Sequence, residues 1–325
     1  PAELSNAAFA GFFGQFANYA GIAANAKQNW PVSWMHLSKP TGHYASRFAM
    51  RILNMMLKHH AVLIAGNAVA PGFFFPEAES DKGWEQFQFV PQIDSGSIVL
   101  NVLGHAKDTQ NAVVFEAEPF MVLPLQAAWH SFDDYLLAMQ SKYRVRAKKV
   151  QEQSNDLILN KINGTNFSDD TLNNCAAILK ETLRDKTIAM PENLGAIMYQ
   201  FKNYFGSNYH IHLYYKNQQF IGFCTWIRNG NTLQALQLGQ DKRSIKNSIL
   251  YQRMLQDLIR EGIENKVERI NFGRTATEIK STMGAIPVAN SFIVFAKSKI
   301  LMQLVKWYKK WFYKPEIYVL RNPFK

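Results

Sequence analysis

The second half of the chain carries the clearest alternation of apolar and polar positions. His210 to Tyr215 and Gln219 to Ile227 are joined by Lys216-Asn217-Gln218, which predicts a β-hairpin. Thr232 to Leu238 follows the Asn229-Gly230-Asn231 turn as a third strand. The period then changes. Ile245, Ile249, Leu255, Leu258, Ile259 and Ile263 fall close to a 3.6-residue repeat and predict a long amphipathic helix over Ser244 to Glu264. Val267 to Phe272 returns to strand. Asp170 to Asp185 and Leu194 to Tyr204 predict two helices ahead of the hairpin. The order helices, three strands, helix, strand predicts a mixed α/β fold, an antiparallel meander leading into a βαβ unit.

The first half is less regular. Ser97 to Gly104, Ala112 to Glu116 and Phe120 to Leu125 read as strands. Ser131 is placed to cap a helix running to about Gln153, with Asp134 in its first turn. Ser154 to Asp170 is a polar connection with a short strand near Leu157 to Leu159. Phe48, Ile52, Met55 and Met56 form the apolar side of a helix over Phe48 to Lys58. His60 to Gly66 reads as a buried strand, and Asn67 to Gly83 as a loop marked by Pro71-Gly72 and Pro76. Trp84 to Val90 fits helix or strand. Residues 7–26, rich in Ala, Gly and Phe, read as a short packed helix and loops. Gln15, Asn18 and Asn25 interrupt them and no basic segment precedes them, so neither a membrane span nor a signal peptide is expected there.

At 325 residues, with 47% hydrophobic residues, the chain can bury a large core. Thirty-six basic residues against 25 acidic ones leave a net charge of +11. The excess is concentrated. Lys142, Arg144, Arg146, Lys148 and Lys149 lie together without an acid, and residues 297–325 set eight Lys or Arg against Glu316 alone. Such patches favour phosphate-rich partners: a nucleotide donor, nucleic acid or an anionic membrane. Two cysteines, Cys175 and Cys224, cannot build a disulfide framework, so a reducing cytoplasm is the simpler expectation.

Candidate chemistry concentrates in Asn271-Phe-Gly-Arg-Thr-Ala-Thr-Glu-Ile-Lys-Ser-Thr-Met-Gly-Ala285. A strand ends here, Gly273 permits a tight turn, and Thr275 with Glu278 has the spacing of a capping box for a helix beginning at Ala276. Arg274 beside that helix start and Lys280 about one turn further in suit an anionic or carbonyl-bearing ligand. The alternative is an ordinary capped helix with solvated cations. Gly239-Gln240-Asp241-Lys242-Arg243-Ser244, with Lys246, joins the third strand to the long helix. It reads either as a phosphate-binding turn or as an exposed basic one. His210 and His212 share one face of a strand, but no third ligand has recognisable spacing, so no metal is expected. Cys224 reads as core. No nucleophile elbow, P-loop or His-Glu-x-x-His occurs.

The 271–285 segment resembles the C-terminal signature of a bacterial family of GNAT-like acyltransferases related to Fem-type peptidyltransferases. Other segments resemble that family in the same order. They are His60 to Asn67, Trp129 to Arg146 with its Ser-Lys-Tyr-Arg run, Leu250-Tyr-Gln-Arg253, and the closing Arg321-Asn-Pro-Phe-Lys325. The resemblance implies a GNAT-like mixed sheet flanked by helices, in two lobes. The first, over 1–130, would be degenerate. A central basic helix over 131–153 leads to a catalytic lobe over 154–295, with a basic aromatic helix and tail over 296–325. It also implies an acyl-CoA or acyl carrier protein co-substrate and no tightly bound cofactor. In this reading Gly239, Gln240, Lys242, Arg243, Ser244 and Lys246 would meet the donor's phosphates. Lys280 and Arg274 would hold the acyl carbonyl or a phosphate, with Gly273 and Thr275 beside them. Glu278 would be a candidate base and Tyr251 a phenol acid. Lys142, Tyr143 and Arg144 would line the acceptor or donor groove. A primary amine is the implied acceptor, and the basic aromatic tail, which suggests a membrane surface, points to the amine of a membrane lipid. A charged tRNA with a cell-wall precursor, or a non-catalytic membrane- or polyanion-binding module, are the other readings.

Ser298 to Lys314 adds a separate feature. Leu301, Leu304, Val305, Tyr308, Trp311 and Phe312 share one helical stripe flanked by lysines, a composition suited to an interfacial helix on the inner face of an anionic membrane. A helix packed on the domain with snorkelling lysines is the alternative.

Overall fold

Tyr209, Ile211 and Leu213 turn to one face of a sheet, and His212 and Tyr214 turn to the other, because side chains alternate along a strand. The computed structural model describes residues 63–65, 73–74, 97–103, 108, 112–184, 194–241, 243, 247–295, 299–314 and 317–324. The expectations for residues 7–26, 48–58 and 84–90 and for most of 60–83 lie outside these residues, as do Lys242, Ser244 and Lys246.

Among the described residues there are ten strands. They are β1 (Leu63–Ala65), β2 (Phe73–Phe74), β3 (Ser97–Leu103), β4 (Ala112–Pro124), β5 (Ile158–Asn163), β6 (Tyr209–Lys216), β7 (Gln219–Asn229), β8 (Thr232–Gln240), β9 (Arg269–Asn271) and β10 (Ile286–Phe295). The helices are α1 (Phe132–Ala138), α2 (Ser141–Gln153), α3 (Asp169–Arg184), α4 (Leu194–Phe205), α5 (Asn247–Glu264), α6 (Thr277–Thr282) and α7 (Lys299–Phe312). One sheet runs β1-β3-β10-β4-β9-β8-β7-β6-β5, with β2 beside β3. The hairpins β5 through β8 are antiparallel, and β8 and β9, joined through α5, are parallel. The meander leading into a βαβ unit is therefore observed.

Both faces of the β6–β8 region are covered. Leu172, Leu179, Met198 and Phe201 of α3 and α4 pack on Ile211, Leu213 and Phe223. Leu250, Met254, Leu258 and Ile259 of α5 pack with Tyr214, Cys224, Trp226 and Leu233 on the other side. This explains why β7 is apolar almost throughout rather than alternating.

Three expectations change. The strands expected over 112–116 and 120–125 are one, β4, which ends at Pro124 and has a bulge in which Glu118 and Pro119 stand opposite Ala289 of β10. A strand over Ile286–Phe295 was not anticipated. Pro287 and the polar pair Asn290-Ser291 obscure its alternation, and Pro287 lies where β10 pairs with β4 but not yet with β3. This strand, from the segment assigned to the catalytic lobe, sits between β3 and β4, so the two halves of the chain share one sheet.

The single helix expected over 131–153 is also two. Ser131 and Asp134 form the capping box of α1. The chain is then extended at Met139, which bridges to Phe324, while Gln140 N–H donates to Pro323 O at 2.8 Å. A tertiary contact with the C-terminal tail breaks the helix. Phe324 seats its ring 5.3 Å from Trp129 and 5.9 Å from Tyr135, over Gly284. A Cβ at Gly284 would lie 2.0 Å from that ring, and its φ of +91° also calls for glycine. We expect Phe324→Ala to lower unfolding stability by about 2 kcal/mol, read by urea denaturation. An unchanged midpoint would mean that the tail does not pack there.

Candidate functional site

The site begins where two parallel strands part. β8 pairs with β9 only from Thr232 to Gln234, opposite Arg269 to Asn271. Its antiparallel pairing with β7 continues to Gln240. From Ala235 onward β8 therefore has an edge that β9 does not cover. At the same level β8 carries a bulge, Leu236 and Gln237 standing opposite Thr225. Thr225 Oγ1 accepts from Gln237 N–H at 3.0 Å, and Tyr209 O–H donates to Gln237 Oε1 at 2.9 Å. The bulge is thus fixed by buried side chains, beside backbone groups that can pair with an extended ligand.

The other wall is the turn after β9. Asn271 Oδ1 accepts from Gly273 N–H at 2.9 Å. Phe272 N–H donates to Met121 O and Met121 N–H to Gly273 O, carrying the β4 pairing up to Gly273. Three residues here have positive φ: Gly273 at 75°, Thr275 at 65° and Ala276 at 49°. For a β-branched threonine this conformation is a true outlier, and such residues persist only where surrounding contacts hold them. Lys280 supplies such contacts. Its side chain is buried, at 2% exposure, and its Nζ donates to Gly273 O at 3.1 Å and to Arg274 O.

Thr275 and Glu278 do not form the expected capping box. α6 begins at Thr277 with left-handed Ala276 as its N-cap and no side-chain cap. The left-handed turn at 275–276 takes Thr275 out of capping geometry. Glu278 instead accepts from Arg321 at 2.7 Å on the exposed side of α6. It is thus held by an ion pair with the C-terminal tail.

Arg274 lies within electrostatic range of Glu118, a residue that the sequence did not single out. Burial lowers the Arg274 pKa, and the Glu118 carboxylate opposes that shift. Glu118 sits in the β4 bulge with Oε2 buried and without a hydrogen-bond partner. Its backbone carbonyl accepts from Asn290 Nδ2 at 3.0 Å. The available signal was a Glu-Pro pair interrupting an apolar strand, which reads as a break between strands. The result is a carboxylate and a guanidinium on the β4 side of the turn that bounds the opening.

The expected phosphate loop differs. Gly239 and Gln240 are in β8, not in a loop. Gly239 is required by packing, since a Cβ there would lie 2.6 Å from Phe223 and 3.0 Å from Ile178. The N–H groups of Gln240, Asp241 and Arg243 donate to Thr182 Oγ1, Ile221 O and Asp241 Oδ1. They form no phosphate cradle, which leaves side-chain charge. Arg243 is exposed and pairs with Glu181 at 3.0 Å. Tyr251, on the first turns of α5, packs against the core, and burial raises its phenol pKa well above the ordinary value. On α2, Lys142 is exposed, Tyr143 packs against the core, and Arg144 reaches the carbonyls of Leu137 and Met139 at the end of α1. The structure therefore brings Arg274, Gly273, Thr275 and Lys280 together, and leaves Arg243 at the far end of β8.

The two histidines serve the core. His210 stacks on Trp226 at 3.8 Å. His212 Nε2 lies 3.2 Å from Glu261 Oε1, which Lys161 Nζ also meets at 2.6 Å. Beside them Tyr214 O–H and Arg253 both donate to Asp257. Cys224 is buried in the same cluster.

No protein-family model and no curated protein matches the sequence. Solved structures do match. The C-terminal domain of a protein named as a lysylphosphatidylglycerol synthetase from Agrobacterium fabrum superposes with a TM-score of 0.50 at 8% identity, over 76% of this chain and 82% of that one. FemX matches with a TM-score of 0.46 at 9% identity, over 76% and 83%. A GCN5-related N-acetyltransferase from Kribbella flavida matches with a TM-score of 0.39 at 11% identity, over 81% and 99%. The first of these establishes a shared fold. The mixed sheet with flanking helices that the resemblance implied is the architecture observed.

Proposed function

We propose that the chain is an N-acyltransferase that moves an acyl group from a thioester, acyl-CoA or acyl carrier protein, to a primary amine. The observation that carries this reading is the parting of β8 from β9 beside the bulge at Leu236–Gln237. An extended, amide-bearing thioester arm can pair with the edge of β8 that β9 leaves uncovered from Ala235 to Gly239, short of Gln240, whose backbone is bonded to Thr182. Its phosphates then reach the exposed Arg243, with Lys242 and Lys246 adding charge.

In this reading the amine nitrogen attacks the acyl carbon, a C–N bond forms and the C–S bond breaks. Glu118 takes the proton that the amine loses. Arg274 offers its fork to the developing oxyanion or to an anionic group of the acceptor. Lys280 positions the turn that carries Arg274. The departing thiolate takes up the proton that Glu118 received; Tyr251, which burial makes a far weaker acid than a thiol, is not used as the donor. Glu278, tied to Arg321, is not used as the base.

An amine borne by a membrane lipid is the favoured acceptor. The name of the Agrobacterium fabrum protein, which refers to a lipid carrying an amino acid, supports a lipid substrate here. A second reading, aminoacyl transfer from tRNA, is favoured by the exposed Lys142, Arg146, Lys148 and Lys149 of α2. The test is a thermal-shift titration with short- and long-chain acyl-CoA, acyl carrier protein and charged tRNA. A donor at a hundred times its Kd stabilises the fold by about 2.7 kcal/mol. Stabilisation by a thioester is expected. Stabilisation by tRNA alone would replace this reading with the second, and no response to any donor would leave a non-catalytic binding module.

A further inference from the structure

The C-terminal helix α7 carries two apolar stripes, and only one of them is used by the fold. Met302, Val305 and Tyr308 are buried on the side where α7 packs on β4, continued by Tyr313 edge-on to Phe115 at 5.0 Å. The stripe expected from sequence is therefore divided, since Val305 and Tyr308 serve the domain. The outer stripe is Ile300, Leu304, Trp307 and Trp311, at i, i+4, i+7 and i+11, a single helical face. Ile300 is 75% exposed, Trp307 49% and Trp311 63%. Beyond the helix, Ile317 at 97%, with Val319 and Leu320, adds further exposed apolar side chains.

We propose that this outer face docks on an anionic lipid bilayer. Charge selects the occupant. Lys299, Lys310 and Lys314 are exposed along the helix, and Lys310 lies over the Trp311 ring at 5.5 Å. Residues 297–325 hold eight cations and one acid, Glu316. Tryptophans among lysines on one face match a headgroup layer, where the rings sit at the boundary and the ammonium groups meet lipid phosphates. Lys309 is paired with Asp108 and Arg321 with Glu278, and a protein partner of neutral surface would add no counter-charge to the exposed Lys299, Lys310 and Lys314.

The tail after α7 leads back to the site. Arg321 bonds to Glu278 and, through its N–H, to Ser281 Oγ at 2.9 Å, both on α6. The tail that follows the docking helix is thus tied to α6, the helix after the Arg274 turn. As a route by which a lipid acceptor reaches the cleft, this rests on the acyltransferase reading. As a docking surface it stands on the helix alone.

The experiment is sedimentation of the whole chain with phosphatidylcholine vesicles, with and without phosphatidylglycerol, for wild type, the double variant Trp307→Ser/Trp311→Ser, and Lys310→Glu/Lys314→Glu. Melting curves and sedimentation velocity accompany each. We expect wild type to prefer anionic vesicles by about tenfold or more, with binding that falls as salt rises. Both double variants should lose about tenfold of that binding with unchanged melting. Equal binding by wild type and variants, or no wild-type binding, overturns the proposal. A lower melting temperature of the tryptophan variant would assign the face to a segment of this chain. A wild-type dimer abolished in that variant would assign it to a second copy. Either result overturns the proposal, and neither bears on the donor titration.

Discussion

Arg274→Ala is expected to lower turnover by roughly a hundredfold or more, the scale at which removing one preorganised donor to a developing oxyanion acts. The guanidinium is partly buried, within electrostatic range of Glu118, on a turn whose backbone is fixed from three sides, by Asn271, Met121 and Lys280. A group held this way needs no reorganisation as charge develops, and the low local dielectric strengthens its effect. Release of thiol from the best donor of the titration, with a primary amine present, gives kcat and KM. The loss should fall on kcat, with the donor's KM little changed, because the donor lies along β8. Arg274→Lys keeps the charge without the fork and should recover only part of the rate. Glu118→Gln, which removes the proton acceptor and keeps its shape, should lower kcat as well. Wild-type turnover in Arg274→Ala with an intact fold would remove the assignment of this turn as the reaction centre.

Lys280→Met separates positioning from chemistry. The ammonium is bonded to the carbonyls of Gly273 and Arg274, so its loss removes two buried charge-assisted hydrogen bonds and leaves Gly273 O with Met121 N–H, at a cost of about 1–3 kcal/mol. It should lower the melting temperature and turnover together, whereas Arg274→Ala should act on turnover far more than on stability.

What was legible in the sequence follows from where the information lies. The meander, α5 and the return strand were readable because periodicity is local and each element buries one periodic face. Gly273, Arg274 and Lys280 were readable because a strand end, a turn and a helix start fall within fifteen consecutive residues. Glu118 was not, because its role depends on β10 pairing with β4 from a position 172 residues away. The break at Met139-Gln140 was hidden for the same reason, as Phe324 and Pro323 create it. The capping box failed on a local rule overridden by the left-handed Thr275 and Ala276. That conflict between propensity and observed geometry falls at the candidate site, where such conflicts are expected. On α7, the apolar pattern was legible, but only packing on β4 shows which stripe is spent and which is free.

Glu261→Gln is expected to lower stability at pH 7 by about 3 kcal/mol, a cost typical of breaking a buried ion pair. Burial alone would raise the Glu261 carboxyl, but hydrogen bonds from His212 and Lys161 more than offset it and hold it at about 2, against an ordinary 4.5. The folded state thus prefers the ionised form. Its contribution is fully present above pH 4.5, where the unfolded chain is also ionised, and is lost as pH falls through about 2. The shift of about 2.5 corresponds to roughly 3 kcal/mol, in line with the loss expected for the variant. Lys161 is half exposed, so solvent screening makes this figure an upper bound. Urea denaturation of both proteins at closely spaced pH values isolates the Glu261 effect from the other carboxylates. The difference between them should be constant above pH 4.5 and close progressively toward pH 2. A difference that does not vary with pH would mean that Glu261 acts through shape rather than charge, and one below about 1 kcal/mol would mean that the pair is solvated in the folded protein.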